Sequence, residues 1–221
     1  PETPARNMYP TGTTRETMDA FLAAHPERRA TLLDDRTIVV EATPENRAHA
    51  LMVLDHHPAL DTLHPGLRAR LQSEETYLAL PYSVAYAHDF FFIVDRLNAA
   101  ADAVESGDAA FARYLRLRAR DLLADDYEGG DAAWVTGDFT GNLNAQIGSY
   151  ETYDDALYGV KSFFSLSLLV RDRPRSEELQ EALGDIQRVE NALPYEHHRE
   201  VRTDIPVGVY NIIADFGQAR G

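Results

Sequence analysis

Apolar residues recur at helical spacing through most of the first half of the chain. This pattern predicts helices in four stretches, residues 13–27, 44–73, 83–106 and 108–125. The first begins at a capping Thr and ends at Pro26, and the second is interpreted as two helices broken near Pro58 and Pro65. The last two are amphipathic and are joined by Ser106 and Gly107, which predicts an α-hairpin.

The pattern changes over residues 125–142, where Gly, Asp and Thr replace the helix-favouring residues. Two β-type runs follow, one on each side of a stretch rich in acidic residues and tyrosines. A short β-branched run at 37–42 predicts an edge strand, and the end of the chain begins as a strand at 205–213. Residues 176–193 predict a helix that begins at a Ser cap with acidic residues in its first turn and ends at Pro194.

These patterns predict a mixed α/β (α+β) fold that is mostly helical. Its sheet is expected to be small, antiparallel or barrel-like, and to contain residues 143–171 and 205–213. The change of pattern divides the chain into a helical segment, about residues 13–125, and a mixed sheet and helix segment, about 126–221. With 221 residues, of which 44% are hydrophobic, the chain is long enough to bury a core.

Charge and composition exclude several classes of partner and site. The chain carries 36 acidic and 21 basic residues, a net charge of −15, so we expect no nucleic acid and no membrane among its partners. It has no cysteine, which excludes disulfides, thiolate metal sites and a cysteine nucleophile. No apolar run approaches the about 20 residues that span a bilayer, and no signal pattern is present. The sequence therefore predicts a soluble, cytoplasmic protein.

Histidines are the first candidates for metal chemistry, since thiolates are excluded. The candidates among them are His56, His57, His64, His88, His197 and His198. None lies in an H-E-x-x-H motif, and the nearest approximation, Glu196-His197-His198-Arg199-Glu200, has poor ligand spacing. Solvated or hydrogen-bonded histidines are therefore the favoured interpretation. The chain also has no G-x-S-x-G motif and no phosphate-binding glycine loop.

Polar side chains concentrate in "NLNAQIGSYETYDDALYGVKSFF", residues 142–164. If residues 143–151 form a strand, its side chains alternate between two faces, and Glu151 and Tyr153 share a face beyond its end. A carboxylate and a phenol so placed could hold a substrate ammonium and donate a hydrogen bond to a developing oxyanion. The spacing alone favours a second interpretation, a capped turn in which Glu151 accepts backbone N–H groups and Tyr153 packs.

Four stretches resemble the dipeptidyl peptidase III family, in particular its bacterial members. They are MYPTGTTRETMDAFLAAHP near the start, PYSVAYA at 81–87, DDYEGGDAAWV at 125–135 and IGSYETYDDALYGVKSFF at 147–164. In that family the glutamate of an E-[ST]-Y motif binds the free α-amino group of a peptide, and the tyrosine hydrogen-bonds the scissile carbonyl. The resemblance implies these roles for Glu151 and Tyr153, and a contact between Asn211 and the peptide backbone.

Members of this family are two-lobed zinc peptidases. The resemblance implies a zinc cofactor, held by a helix with two histidines around a glutamate and by a further glutamate, and no such motif occurs in this chain. We therefore expect the N-terminal portion of a longer polypeptide, with peptide and the C-terminal zinc lobe of the same polypeptide as partners. This portion would be the substrate-binding half of an exopeptidase that releases dipeptides, inactive by itself. The alternative is a non-catalytic binding or regulatory module that retains the fold.

Overall fold

The structure is a computed structural model that describes residues 8–151, 155, 157–201 and 208–217. Its helices are α1 (Arg15–Ala24), α2 (Arg29–Leu32), α3 (Pro44–His56), α4 (Pro58–Leu63), α5 (Leu67–Ser73), α6 (Tyr82–Ala85), α7 (Ala87–Val104), α8 (Ala109–Ala124), α9 (Glu128–Thr136), α10 (Arg173–Gly184) and α11 (Ile186–Ala192). Its strands are β1 (Thr37–Glu41), β2 (Tyr77–Pro81), β3 (Leu143–Glu151), β4 (Phe163–Asp172) and β5 (Val209–Gly217). The mixed, mostly helical fold is confirmed.

The strands form two small antiparallel sheets. β1 pairs with β2, and the second sheet has the order β3-β4-β5. Within the described residues neither sheet closes into a barrel, so the antiparallel form of the prediction is confirmed and the barrel-like form is wrong. The β3–β4 register shifts between Ser149 and Glu151, which marks an irregularity in the strand just before the E-T-Y sequence.

Several predicted helix boundaries hold because their capping chemistry is present. The Thr14 side chain accepts the Thr17 N–H while the Thr17 hydroxyl accepts the Thr14 N–H, so a capping box opens α1. The predicted α-hairpin is α7 and α8, with Asp108 capping the second helix through the Phe111 N–H. The part of the predicted helix before residue 87 is separate, as the short helix α6.

Other boundaries differ from the prediction. Residues 44–73 form three helices, not two, because both proline positions interrupt the helix. The helix predicted from residue 176 begins earlier, at Arg173, and is capped by Asp172, which accepts the Arg175 N–H. Ser176 is instead buried, and its hydroxyl donates to the Asp172 carbonyl and accepts the Val209 N–H of β5. The sequence pattern also did not predict β2 or α9.

Two hydrophobic clusters form the core. The larger contains residues from both predicted segments, among them Leu22 and Phe90 from the helices and Ala145 and Phe163 from the sheet. The smaller joins α3, α4 and α5 to β2 and contains Leu60, which is fully buried. Packing in the larger cluster therefore fixes the start of β4 against the helices. None of the helices in the described residues is long and apolar enough to cross a bilayer.

Candidate functional site

The E-T-Y sequence lies at the end of β3. Glu151 is the last residue of that strand, and its backbone pairs with Phe163 of β4. The side chain of Glu151 and all of Tyr153 lie outside the described residues. Their roles with substrate therefore stay predictions, whereas the residues on either side of them have defined contacts.

Asn211, the third predicted site residue, is exposed on β5 and pairs with Val170 of β4. Glu151 pairs with Phe163, seven residues away along the same strand. At about 3.3 Å per residue, these two positions are about 23 Å apart along the strand direction. The structure does not bring Asn211 and Glu151 together. A peptide that contacts both must extend well beyond its first two residues.

A pair of buried serines fixes the strand just before Glu151. The hydroxyl oxygens of Ser149 and Ser162 lie 2.6 Å apart. The Ser162 hydroxyl and backbone N–H both donate to the Asp35 carbonyl, at 2.9 and 2.8 Å. The Tyr82 hydroxyl donates to the Ser162 carbonyl at 2.8 Å. These bonds attach the end of β3 and the start of β4 to the loop before β1 and to α6.

A single carboxylate organises the loop after Tyr153. Asp155 accepts four backbone N–H bonds, at 3.0 to 3.3 Å, from Leu157, Tyr158, Val160 and Lys161. The Tyr9 hydroxyl donates to the same carboxylate at 3.2 Å. Burial acts to raise the pKa of Asp155, but the backbone N–H groups outweigh it and lower this pKa. A turn capped by a carboxylate is therefore present, and Asp155 caps it.

Lys161 attaches this loop to the rest of the protein. Its side chain is fully buried, and Nζ donates three hydrogen bonds of 2.7 Å, to the Leu32 carbonyl, the Asp34 carbonyl and the Thr37 hydroxyl. The ring of Tyr9 lies 5.6 Å from Nζ. Burial lowers the pKa of Lys161 to about 8, although the carboxylates of Asp34, Asp155 and Asp35 act to raise it.

The low pKa of Lys161 gives a testable dependence of stability on pH. The unfavourable burial of the charge is fully present below about pH 8. Between pH 8 and the unfolded value of 10.5, the unfolded chain holds a proton that the folded chain has released, so the free energy of unfolding increases with pH. Relative to Lys161→Met, which cannot titrate, we expect wild type to gain about 1 kcal/mol per pH unit in urea denaturation. Parallel curves for the two proteins would contradict this assignment.

A cavity of about 460 Å³ lies beside the end of β3. Its lining includes Tyr114 of α8, Trp134 of α9 and Tyr150, the residue before Glu151. Arg118 also lines the cavity and is buried, with Nη2 2.7 Å from Asp131 and Nη1 3.4 Å from Asp121. The Tyr150 hydroxyl donates to Asp131 as well. The cavity places aromatic rings next to the strand that carries the E-T-Y sequence.

The described residues contain no group of three or more His, Asp or Glu side chains that could hold an ion. His56, His57 and His88 line a separate cavity, where the ring of His57 stacks on Phe91 at 3.8 Å. His197 and His198 are exposed on the segment that follows α11.

His64 lies in a Ser-His-Asp cluster, but its hydrogen bonds do not suit nucleophilic catalysis. Its Nε2 is 3.0 Å from the Leu123 carbonyl and 2.8 Å from the Ser83 hydroxyl, and that hydroxyl donates to Asp125 at 2.7 Å. A carbonyl only accepts hydrogen bonds, so Nε2 carries a proton and cannot accept one from Ser83. The cluster is a buried hydrogen-bond network.

Comparisons with known proteins give a partial match to longer chains. No family model matches. The chain is 28% identical over 166 residues to Nudix hydrolase 3 of Arabidopsis thaliana, which is 74% of this chain and 21% of that protein. The fold is similar to dipeptidyl-peptidase III from Caldithrix abyssi, with a TM-score of 0.64, 26% identity and coverage of 88% of this chain and 30% of that one. The fold is also similar to dipeptidyl-peptidase III from Corallococcus sp. strain EGB, with a TM-score of 0.64 and 24% identity. That match covers 97% of this chain and 35% of the other.

The expected resemblance to bacterial dipeptidyl-peptidase III is thus confirmed in the fold. Two solved structures of such enzymes contain a part that is similar to most of this chain. The chain spans about a third of the length of those structures and about a fifth of the curated relative.

Proposed function

We propose that this chain is the substrate-binding half of a zinc-dependent exopeptidase that releases dipeptides from the N-termini of peptides. The observation that carries the proposal is the likeness of 88% of the chain to part of a dipeptidyl-peptidase III structure. The E-T-Y sequence, which begins at the last residue of β3, supports the proposal. In the family this motif contacts the α-amino group and the scissile carbonyl of the peptide. The net charge of −15 also favours a substrate with a cationic terminus.

In this proposal the chain binds and polarises the substrate. The Glu151 carboxylate pairs with the free α-ammonium group and so sets where the peptide begins. The Tyr153 hydroxyl donates a hydrogen bond to the oxygen of the scissile carbonyl as negative charge develops on it in the transition state. The described residues do not fit a zinc site, so the proposal places the zinc ligands in the C-terminal lobe of the same polypeptide.

A second candidate is a non-catalytic binding or regulatory module that retains the fold. The match to Nudix hydrolase 3 favours this candidate. That protein contains a stretch similar to this chain, and its name denotes an activity other than peptide hydrolysis. In this case Glu151 would still bind peptide N-termini, and no bond would break.

The experiment compares the full-length polypeptide with the isolated 221-residue chain, using peptides with free and with acetylated N-termini. We expect the full-length protein to release dipeptides from free N-termini only, to lose activity with a chelator and to regain it with zinc. The isolated chain should hydrolyse nothing and retain no stoichiometric zinc after dialysis. Binding of free N-termini by a full-length protein that hydrolyses nothing would support the module instead.

One outcome would overturn the assignment of the zinc ligands. If the isolated chain held zinc at one-to-one stoichiometry and cleaved peptides, the ligands would have to be sought within it. His56, His57 and His64 would then be the first candidates to replace. Mass spectrometry of the dialysed protein and a dipeptide-release assay distinguish these results.

A further inference from the structure

We infer that Lys161 is a positioning residue for the peptide-binding segment. Its buried ammonium group holds the end of the loop after β3 against the loop before β1. Loss of this contact is expected to impair the action of Glu151 and Tyr153 on substrate. The inference rests on the proposed function of these two residues. It assigns to Lys161 no contact with substrate, since its side chain is fully buried.

The first step of the argument is that the E-T-Y segment is anchored on both sides. Two residues before Glu151, the Ser149 hydroxyl is bonded to Ser162, which in turn donates to the Asp35 carbonyl. Two residues after Tyr153, the Asp155 carboxylate accepts the N–H groups of its own loop. The described residues on both sides of the E-T-Y sequence are therefore attached by hydrogen bonds.

The second step is that Lys161 connects these attachment points to a single element. Its backbone N–H donates to Asp155, while its side chain donates to Leu32, Asp34 and Thr37. The neighbouring Ser162 contacts Asp35. Both anchors of the E-T-Y segment thus lead to the same short stretch, residues 32–37, between α2 and β1. Without the ammonium group, this loop keeps the Tyr9 bond to Asp155, the Tyr158 bond to Asp19 and the Arg15 bond to the Leu157 carbonyl, none of which leads to residues 32–37.

The third step concerns why this residue is a lysine. The chain contains 21 Lys and Arg residues, and its single lysine is Lys161. An ammonium group has three N–H donors on one atom, and here three acceptors surround that atom at 2.7 Å each. A guanidinium group is planar, larger and spreads its donors over three nitrogens, so it does not fit these acceptors. The fit indicates that the arrangement of N–H donors at position 161 matters as well as the positive charge.

The test measures kcat and KM of the full-length enzyme carrying Lys161→Met or Lys161→Arg. Displacement of catalytic groups by about 1 Å can cost about a hundredfold in rate. We expect both variants to lower kcat/KM by about tenfold to a hundredfold. Methionine removes the charge and the three donors, whereas arginine keeps the charge and loses the geometry of the donors. Thr37→Val removes one acceptor, and we expect a loss of about threefold, in proportion to one of three hydrogen bonds. That variant keeps the test valid if the Lys161 variants do not fold.

A control separates positioning from general loss of stability. Leu60→Ala opens a cavity in the smaller hydrophobic cluster and so lowers the stability of the fold. We expect it to lower Tm and to leave kcat/KM of the folded enzyme unchanged. If the Lys161 variants behave like Leu60→Ala, with a lower Tm and normal kinetics, the residue is only structural and the inference is wrong.

A second readout uses amide hydrogen exchange in the loop that ends at Lys161. The N–H groups of Val160 and Lys161 both donate to Asp155, so their exchange requires the loop to open. If the loop and the binding site move together, a peptide with a free N-terminus and a non-cleavable bond should slow this exchange at least about threefold, as followed by mass spectrometry of proteolytic fragments. An N-acetylated peptide should not slow it. Equal rates with both peptides would overturn the coupling.

These outcomes also separate the inference from the proposed function. If wild type releases dipeptides and the Lys161 and Thr37 variants retain its kcat/KM, the inference fails and the function stands. If zinc-loaded wild type releases no dipeptides, the function fails, and the inference that rests on it fails as well.

Discussion

In the proposed full-length peptidase, Tyr153→Phe should lower kcat about a hundredfold or more and leave KM nearly unchanged. A hydrogen bond that forms only as the carbonyl oxygen becomes negative stabilises the transition state and not the bound substrate. Removing a single donor of this kind typically raises the barrier by about 2.7 to 4 kcal/mol. Steady-state kinetics with one dipeptide-release substrate at saturating zinc measures both constants.

Tyr158→Phe is the matched control, because it removes a hydroxyl from the same loop. The Tyr158 hydroxyl donates to Asp19 of α1, and the Arg15 guanidinium lies 4.8 Å from the centre of its ring. We expect kcat and KM of this variant to equal those of wild type. If Tyr153→Phe also keeps normal constants and only lowers Tm, Tyr153 packs in a turn and the oxyanion contact lies elsewhere.

Local sequence patterns were sufficient where an element has one buried face. The α7–α8 hairpin and strands β3 and β4 were predicted because apolar residues recur at a period that matches the element. β2, "YLALP", escaped prediction because four of its five residues are buried and no alternation remains. The third helix between residues 44 and 73 was missed since proline spacing shows that a helix breaks without showing how many pieces result.

α9 shows how tertiary contact can override local preference. Its two adjacent glycines are typical of a loop, and the sequence was interpreted in that way. In the structure, Gly130 N–H donates to the buried Asp121 carboxylate at 2.9 Å, and a Cβ atom at Gly130 would overlap that carboxylate. The glycine is required by the approach of two helices, α8 and α9, which a one-dimensional pattern does not contain.

The candidate site also combines residues that a local sequence pattern predicts with residues whose roles only the structure shows. The short E-T-Y motif predicts Glu151 and Tyr153 as site residues, and their roles stay predictions. The structure adds Asp155, which accepts N–H groups of its own loop, and Lys161, which contacts distant residues. Lys161 contacts residues more than 120 positions earlier in the chain. The only local signal was a single lysine in a chain whose other cations are arginines. Asn211 was chosen without knowledge of the β4–β5 register, which places it near the opposite end of the sheet.

Glu151→Gln should have a different kinetic effect from Tyr153→Phe. The carboxylate would hold the substrate ammonium in the ground state and in the transition state alike, so its loss weakens binding and leaves kcat nearly unchanged. A hydrogen bond to a charged group contributes about 1.5 to 3 kcal/mol, so we expect KM to rise about tenfold to a hundredfold for peptides with free N-termini.

N-acetylated peptides and a second glutamate provide the controls for this prediction. An acetylated peptide has no ammonium group to lose, so its weak binding to wild type should not weaken further in Glu151→Gln. Glu45→Gln makes the same change at an exposed position on α3 and should leave all constants at wild-type values. Isothermal titration with both peptides and the zinc-depleted enzyme measures binding without turnover. An equal loss of affinity for free and acetylated peptides would show that Glu151 shapes the segment and does not bind the peptide N-terminus.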